Sequence, residues 1–468
     1  VKAYHPPKGP AKDNNSNKAG FAFDKDSNKR GNYLCSDKRR RIFVFLPLLF
    51  IMIFSAIRQR AGFPLAALFI GLCVTLPALL LKHGTEHYES VFRSWSRLHP
   101  VVLLLLPFSG LTLIAGLRRW TFRNRQNKGI REVAGALKSG YGLPVFKIPS
   151  HLINGFLTVV SGGSTGIEVS TVVAGGAIGS QIGDRLKRED YRGDLICAGI
   201  AAGITALFGT LFGGLFFVWE VLSKSMGWRR ASGAMLASLA AFLLLRLFHE
   251  PPLFAPSLSN WHWHALPYFI ILGLFAGLHA VYLTRCVLFF KTFFNRIGTI
   301  RNRILIASAT LALLLSVYPA LFGEGYHAID GLFSHLSANQ GLAMLPVMGA
   351  LLLLKPVSTA VTLGGGGDGG VFAPSLFCGA FLGAAVALLA NRFLDADVIV
   401  MNFTIVGMAA ALSASIHAPL TALFAVCAFV GDYTLFIPMA LCVLVSQRTA
   451  QKIFPFTVYT YQDNSAGN

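Results

Sequence analysis

Gly364-Gly365-Gly366-Gly367-Asp368-Gly369-Gly370-Val371-Phe372-Ala373-Pro374 divides two apolar runs, 340–362 and 370–392. A helix cannot simply stop in lipid, because its freed backbone N–H and C=O groups find no water there. A break of this kind therefore lies inside protein or beside an aqueous path. That marks a transporter or channel core rather than a plain helical anchor. A second break, Gly162-Gly163-Ser164-Thr165-Gly166-Ile167, separates the runs 143–160 and 167–183. Breaks at corresponding places in two halves point to a binding site near the membrane midplane.

Outward from these breaks the chain is apolar almost throughout. Of 468 residues 54% are hydrophobic and 13% charged, and the mean hydropathy is +0.58. Soluble domains carry roughly 25% charged residues, so a cytosolic enzyme, a disordered chain and a secreted disulfide scaffold are all excluded. Further apolar runs at 42–58, 62–82, 99–117, 192–222, 232–248, 266–288, 303–322, 398–430 and 433–447 predict an all-α polytopic membrane protein. Several fall short of the ~20 residues of a straight span. Ala201–Leu211 also echoes Ala410–Leu420, each downstream of one break.

Lys and Arg number 41 against 21 Asp and Glu, a formal charge of +20. Much of this excess lies in residues 1–41 and in the cytoplasmic loops, and residues 1–41 are too poor in apolar side chains to fold alone. Their basic end, Lys38-Arg39-Arg40-Arg41, abuts the apolar run at Ile42 and reads as a cytoplasmic flank, not a nucleic-acid site. The expected organisation is a disordered 1–41 segment and two transmembrane halves, 42–225 and 226–468. Seven cysteines show no C-x-x-C spacing, so neither zinc nor a disulfide framework is expected, and no cofactor motif is present.

Three loop-to-helix junctions stand out: Lys128-Gly129-Ile130, Gly163-Ser164-Thr165-Gly166-Ile167 and Gly370-Val371-Phe372-Ala373-Pro374. Helix starts present free N–H groups at the positive end of the macrodipole, and glycine leaves the backbone accessible. Several such starts converging in a low-dielectric interior would hold a small anion.

These junctions resemble the CLC family of chloride channels and chloride/proton antiporters, in its bacterial type without C-terminal CBS domains. Gly370–Pro374 matches the family's G-x-F-x-P, and Gly163–Ile167 stands at its G-R/K-E-G-P. Asn127–Glu132 stands at G-S-G-I-P-E, and Ser415–Thr421 resembles S-x-R-A-P-L-T. Gly323-Glu324-Gly325-Tyr326 resembles the glycine-rich stretch before the second-half site, and Val458-Tyr459 the family's I-Y pair. The resemblance implies two inverted repeats of tilted, broken helices, and a homodimer with one anion path per subunit. It further implies an integral protein of the bacterial inner membrane with both termini cytoplasmic, and no enzyme activity. Its partners would be chloride or another small anion, lipid and a second copy. The anion-binding residues it implies are Lys128, Gly129, Ile130, Ser164, Thr165, Gly166, Val371, Phe372, Ala373 and Tyr459.

The departures bear on mechanism. The family's gating glutamate corresponds to Thr165, and its second proton glutamate to Val221, beside Glu220. Threonine cannot change charge, so uncoupled, channel-like passage is expected. The alternative is an anion/proton antiporter with Glu168 or Glu220 as proton carrier. Thr165-x-x-Glu168 has the spacing of a capping box; equally, Glu168 is a displaced gate, since intramembrane carboxylates are functional suspects. Lys128, where the family has an anion-binding serine, lies either at the anion or in the inner vestibule. Asp368 either pairs with Lys128 or caps the following helix. Arg118, Arg119, Arg123, Arg125 and Arg131 read as topology-setting loop charge. A remote alternative is a serine hydrolase, with Ser164 of Gly162-Gly163-Ser164-Thr165-Gly166 as nucleophile and His417 as base.

Overall fold

The computed structural model describes residues 62–461 apart from 100, 124, 126, 188, 224 and 338–340. The expected disordered segment 1–41 and the apolar run 42–58 lie outside the described residues. The helices in chain order are α1 (Phe63–Leu98), α2 (Val101–Trp120), α3 (Ile130–Ser139), α4 (Lys147–Val160) and α5 (Glu168–Arg185). After them come α6 (Glu189–Phe208), α7 (Leu211–Phe217), a π turn (Val218–Leu222), α8 (Trp228–Leu247) and α9 (Leu266–Arg296). The remainder are α10 (Ile300–Val317), α11 (Tyr326–Ser337), α12 (Leu345–Gly365), α13 (Phe372–Leu394), α14 (Val400–Ile416), α15 (Pro419–Val430) and α16 (Phe436–Ile453).

Among the described residues, eight helices are long and apolar enough to cross a membrane. Two runs expected to be continuous are broken. The run 192–222 stops at Gly209, whose φ of +68° is left-handed, and α7 then restarts with the Thr210 hydroxyl accepting the Gly213 N–H. The run 398–430 stops at His417 (φ +55°), and α15 restarts at Pro419, which suits a first helical position.

Burial separates an inner from an outer layer. The most apolar windows of α6 and α13 are 83% and 72% buried, whereas that of α2 is 28% buried and turns its leucines outward. The inner helices cross in two similar pairs. At the α5/α6 crossing Gly175 and Gly199 lie against each other's carbonyls, and at the α13/α14 crossing Gly379 and Gly407 do the same. Lipid gives helices no hydrophobic reason to associate, so close backbone approach at small residues supplies the packing instead.

Candidate functional site

The two glycine-led breaks meet. Gly166 N–H donates to the Gly370 carbonyl at 3.2 Å, and Gly370 N–H returns a bond to the Gly166 carbonyl at 3.1 Å. The pairing is antiparallel, as expected of segments from inverted repeats. Two threonines serve the opposite break. Asp368 N–H donates to Thr158 Oγ1 at 2.9 Å, and Ser164 N–H donates to Thr362 Oγ1 at 3.1 Å. Ser164 and Asp368, Thr165 and Gly369, Gly166 and Gly370 are therefore matching positions.

Helices α5 and α13 start from this junction. Val371 N–H donates to the Tyr459 hydroxyl at 3.3 Å, so the tyrosine oxygen caps α13 and its own proton remains for another acceptor. Glycine is required at 370, because a Cβ there would stand 2.9 Å from that hydroxyl. The Phe372 ring is buried among Phe208 and Phe217, with centroids 5.6 and 5.8 Å away. The first-turn amides of Phe372 and Ala373 have no intrahelical partner. The third junction reaches the same place: Gly129 (φ +61°) precedes α3, and a Cβ on it would lie 3.1 Å from Val169 Cγ1. The other methyl of Val169 lies against Gly370, so this buried side chain is where the three junctions touch.

A polar network locks these starts. Asp368 accepts from Arg118 Nη2 at 2.6 Å and from Asn127 Nδ2 at 2.7 Å. It neither pairs with Lys128 nor caps α13: both its carboxylate oxygens are taken by Arg118 and Asn127, and the N-cap position of α13 is Val371. Lys128 is exposed. Arg131 Nη2 donates to the Val458 carbonyl at 3.0 Å and so fixes the segment carrying Tyr459. Arg118 and Arg131 are thus structural contacts rather than loop charge alone.

Glu132 meets Lys147 and His151, each at 2.5 Å. Burial alone would raise its carboxyl; the hydrogen bond from His151, that group's charge and Lys147 outweigh burial and hold it below the ordinary carboxylate range. A carboxyl lowered in this way stabilises the fold above its unfolded pKa, and the contribution disappears as pH falls through the folded value. Glu132→Gln is therefore expected to cost about 2 kcal/mol at neutral pH and nothing once wild-type Glu132 is protonated. Thermal unfolding of the solubilised protein across acidic and neutral pH checks this. A difference unchanged by pH would contradict it.

The acidic residues depart from expectation. No capping box forms: the Thr165 hydroxyl donates to the Asp368 carbonyl at 3.4 Å, and the N-cap of α5 is Ile167. Glu168 Oε1 instead accepts from the Tyr326 hydroxyl at 3.0 Å, while its buried Oε2 has no partner among the described residues. Glu220, on the π turn, is committed as the cap of α15. It accepts Leu420 N–H at 3.0 Å, Thr421 N–H at 2.8 Å and the Thr421 hydroxyl at 2.7 Å. That role argues against a free proton carrier, and Val221 beside it is half-buried. Glu324 Oε1 accepts the Ile167 N–H at 3.1 Å, a contact the sequence reading did not assign.

A family model described as "Voltage gated chloride channel" matches residues 110–451. The chain belongs to the voltage gated chloride channel (CLC) family. Among solved structures, this CLC chain is similar to a slow cyanobacterial Cl-/H+ antiporter, with TM-score 0.75 and 22% identity over 85% of this chain and 96% of that one. A CLC-type fluoride/proton antiporter matches with TM-score 0.68 and 22% identity over the same shares. A eukaryotic CLC transporter matches with TM-score 0.68 and 18% identity, over 87% of this chain and 73% of the other. At these identities the likeness establishes the all-helical, multi-span CLC fold.

A CLC protein is a transporter or channel, not an enzyme. The Ser164 hydroxyl pairs with Thr359 at 3.1 Å, and His417 is the left-handed cap ending α14, its carbonyl taken by Gln447 at 3.3 Å. Sequence reasoning missed Val169 and the roles of Tyr326, Glu324, Arg118 and Arg131. Only Glu324 carried a usable signal, a carboxylate between two glycines next to an apolar run.

Proposed function

We propose that this CLC chain passes chloride or a similar small anion across the membrane without stoichiometric proton exchange. The observation that carries the proposal is the paired Gly166/Gly370 junction, where the starts of α5 and α13 converge beside the Tyr459 hydroxyl and Thr165 stands instead of a carboxylate. The anion would take the amides of Phe372 and Ala373 with that hydroxyl, and Ser164, Thr165, Gly166, Gly129 and Ile130 would line the path. Exposed Lys128 would serve as a vestibule charge. The halves 42–225 and 226–468 would form the inverted repeats, with both ends on the cytoplasmic side of a bacterial inner membrane.

A homodimer fits the ring-dense face formed by α7, the π turn, α15 and α16. Phe216 stacks on Phe424 at 5.2 Å, Phe424 meets Phe436 at 5.8 Å, and Trp219 and Ile437 remain exposed. Shape-matched packing of such a face suits a two-fold contact within lipid.

Proteoliposomes carrying the full chain test the proposal. Chloride flux down its gradient with no proton movement is expected. Uphill proton movement driven by chloride would establish the second reading, an anion/proton exchanger. Two observations favour that reading: the partnerless buried oxygen of Glu168, and the description of two similar structures as antiporters.

A further inference from the structure

Glu324 supplies what the Gly163–Ile167 break lacks. Its side chain is 3% exposed, and its Oε1 holds the Ile167 N–H, a donor at the start of α5. A carboxylate held here competes with an anion drawn to the α5 start lined by Ser164, Thr165 and Gly166, because both seek the same positive helix end.

The backbone around Glu324 is pinned while its side chain spans the gap. Fully buried Lys355 of α12 donates to the Leu321 and Gly323 carbonyls at 3.2 and 3.0 Å, and lies 4.8 Å from the centroid of the Phe377 ring. Gly323 and Gly325 both have positive φ, +59° and +91°. A Cβ on Gly323 would strike the Glu89 carboxylate of α1, and one on Gly325 would strike the Phe377 ring. Only glycine fits either flank, so the loop is built to present this one carboxylate.

A second carboxylate is aimed at the same helix start. Glu168 is 1% exposed and folds back over Gly166, and its buried Oε2 has no hydrogen-bond partner among the described residues. The charged and titratable groups facing Glu324 are Glu168 of α5, Tyr326 of α11, Glu86, Glu89 and Arg93 of α1, and Lys355 of α12. The carboxylates of Glu168, Glu89 and Glu86 repel that of Glu324 in this low-dielectric interior, against the attraction of Lys355 and Arg93, and the repulsion favours release of the one that must move.

We propose that Glu324 is the gate of this chain: its carboxylate occupies the α5 amide and blocks the anion, and protonation or outward swing of the side chain frees the site. The proton goes onto the released carboxylate, and no covalent step is involved. The inference rests on the anion path of the preceding section.

The test is chloride efflux from proteoliposomes of the full chain at about pH 5 and about pH 7.5, the acid arm favouring the protonated carboxyl and the neutral arm its ionised form. Wild type is expected to be faster in acid. Glu324→Gln is expected to raise the neutral-pH rate about ten-fold, the worth of one charge-assisted hydrogen bond, and to flatten the pH profile. Glu324→Asp, one methylene too short for the Ile167 amide, is expected to share the fast neutral rate. It decides the matter if the Gln variant does not elute as folded protein. Wild-type rate and pH profile in the folded variants would overturn the gate and leave the anion path standing. No efflux from any folded protein at either pH would overturn the anion path, and the gate with it.

Discussion

Asp368→Ala is expected to destabilise the solubilised protein by about 3 kcal/mol, because it leaves the Arg118 guanidinium without its counter-charge. Asp368 has a side chain only 8% exposed, and Arg118 reaches it across 250 residues of sequence at 2.6 Å. Asn127 takes the other carboxylate oxygen at 2.7 Å. Removing the acid therefore strips two elements, α2 and the segment before α3, from the break that precedes α13. Arg118→Ala alone should also destabilise, by leaving the carboxylate uncompensated. The double variant should be more stable than the sum of the single losses implies, because no lone charge remains. Unfolding curves for the four proteins give the coupling. Additive losses would show that the pair acts as two independent surface groups. A functional consequence accompanies the loss: Val371, which meets Tyr459, is three residues from Asp368, so the variant's anion flux should fall as well.

The broken-helix architecture was readable because it rests on local facts. Glycine runs at 162–166 and 364–370 cannot continue a lipid-facing helix, and the charged fraction excludes a soluble fold. The backbone proposed to face the anion was read from the same glycines. What could not be read was pairing at long range. Arg118 was one of six basic residues in a loop, and nothing local distinguishes the one that meets Asp368. Glu220 looked like a free carboxylate until α15 placed its first amides against it, 200 residues downstream. The Thr165–Glu168 spacing suggested a cap, yet Tyr326 of α11 and Glu324 of the loop before it take the groups such a cap would use, and tertiary partners override local preference at that start. The π turn at 218–222 is equally silent in sequence, although its extra residue per turn sets where Glu220 points.

Gly379→Val is expected to have the largest effect of all, with little or no folded protein recovered. Helices α13 and α14 touch backbone to backbone there. A Cβ on Gly379 would stand closer than 3 Å to the Gly407 carbonyl oxygen, and Gly407 stands in the same relation to Gly379. A flexible side chain could turn aside; a carbonyl within a buried helix cannot. Overpacking in ordinary cores costs about 1–3 kcal/mol, but this substitution forces two whole helices apart, and α13 carries Phe372 and Ala373. Gly349→Ala serves as the comparison, since it lies in helix α12 with nothing within 4 Å of a new Cβ. It should be neutral or stabilising by up to about 1 kcal/mol, from helix propensity alone. Fluorescence-detected size-exclusion of both variants separates the cases. Gly175→Val, at the corresponding crossing of α5 with α6, should fail in the same way as Gly379→Val, because the Gly199 carbonyl fills the space a side chain would need. Tolerance at either site would show that this crossing is looser than its backbone contacts require, and would free the helix start it carries to shift relative to Tyr459.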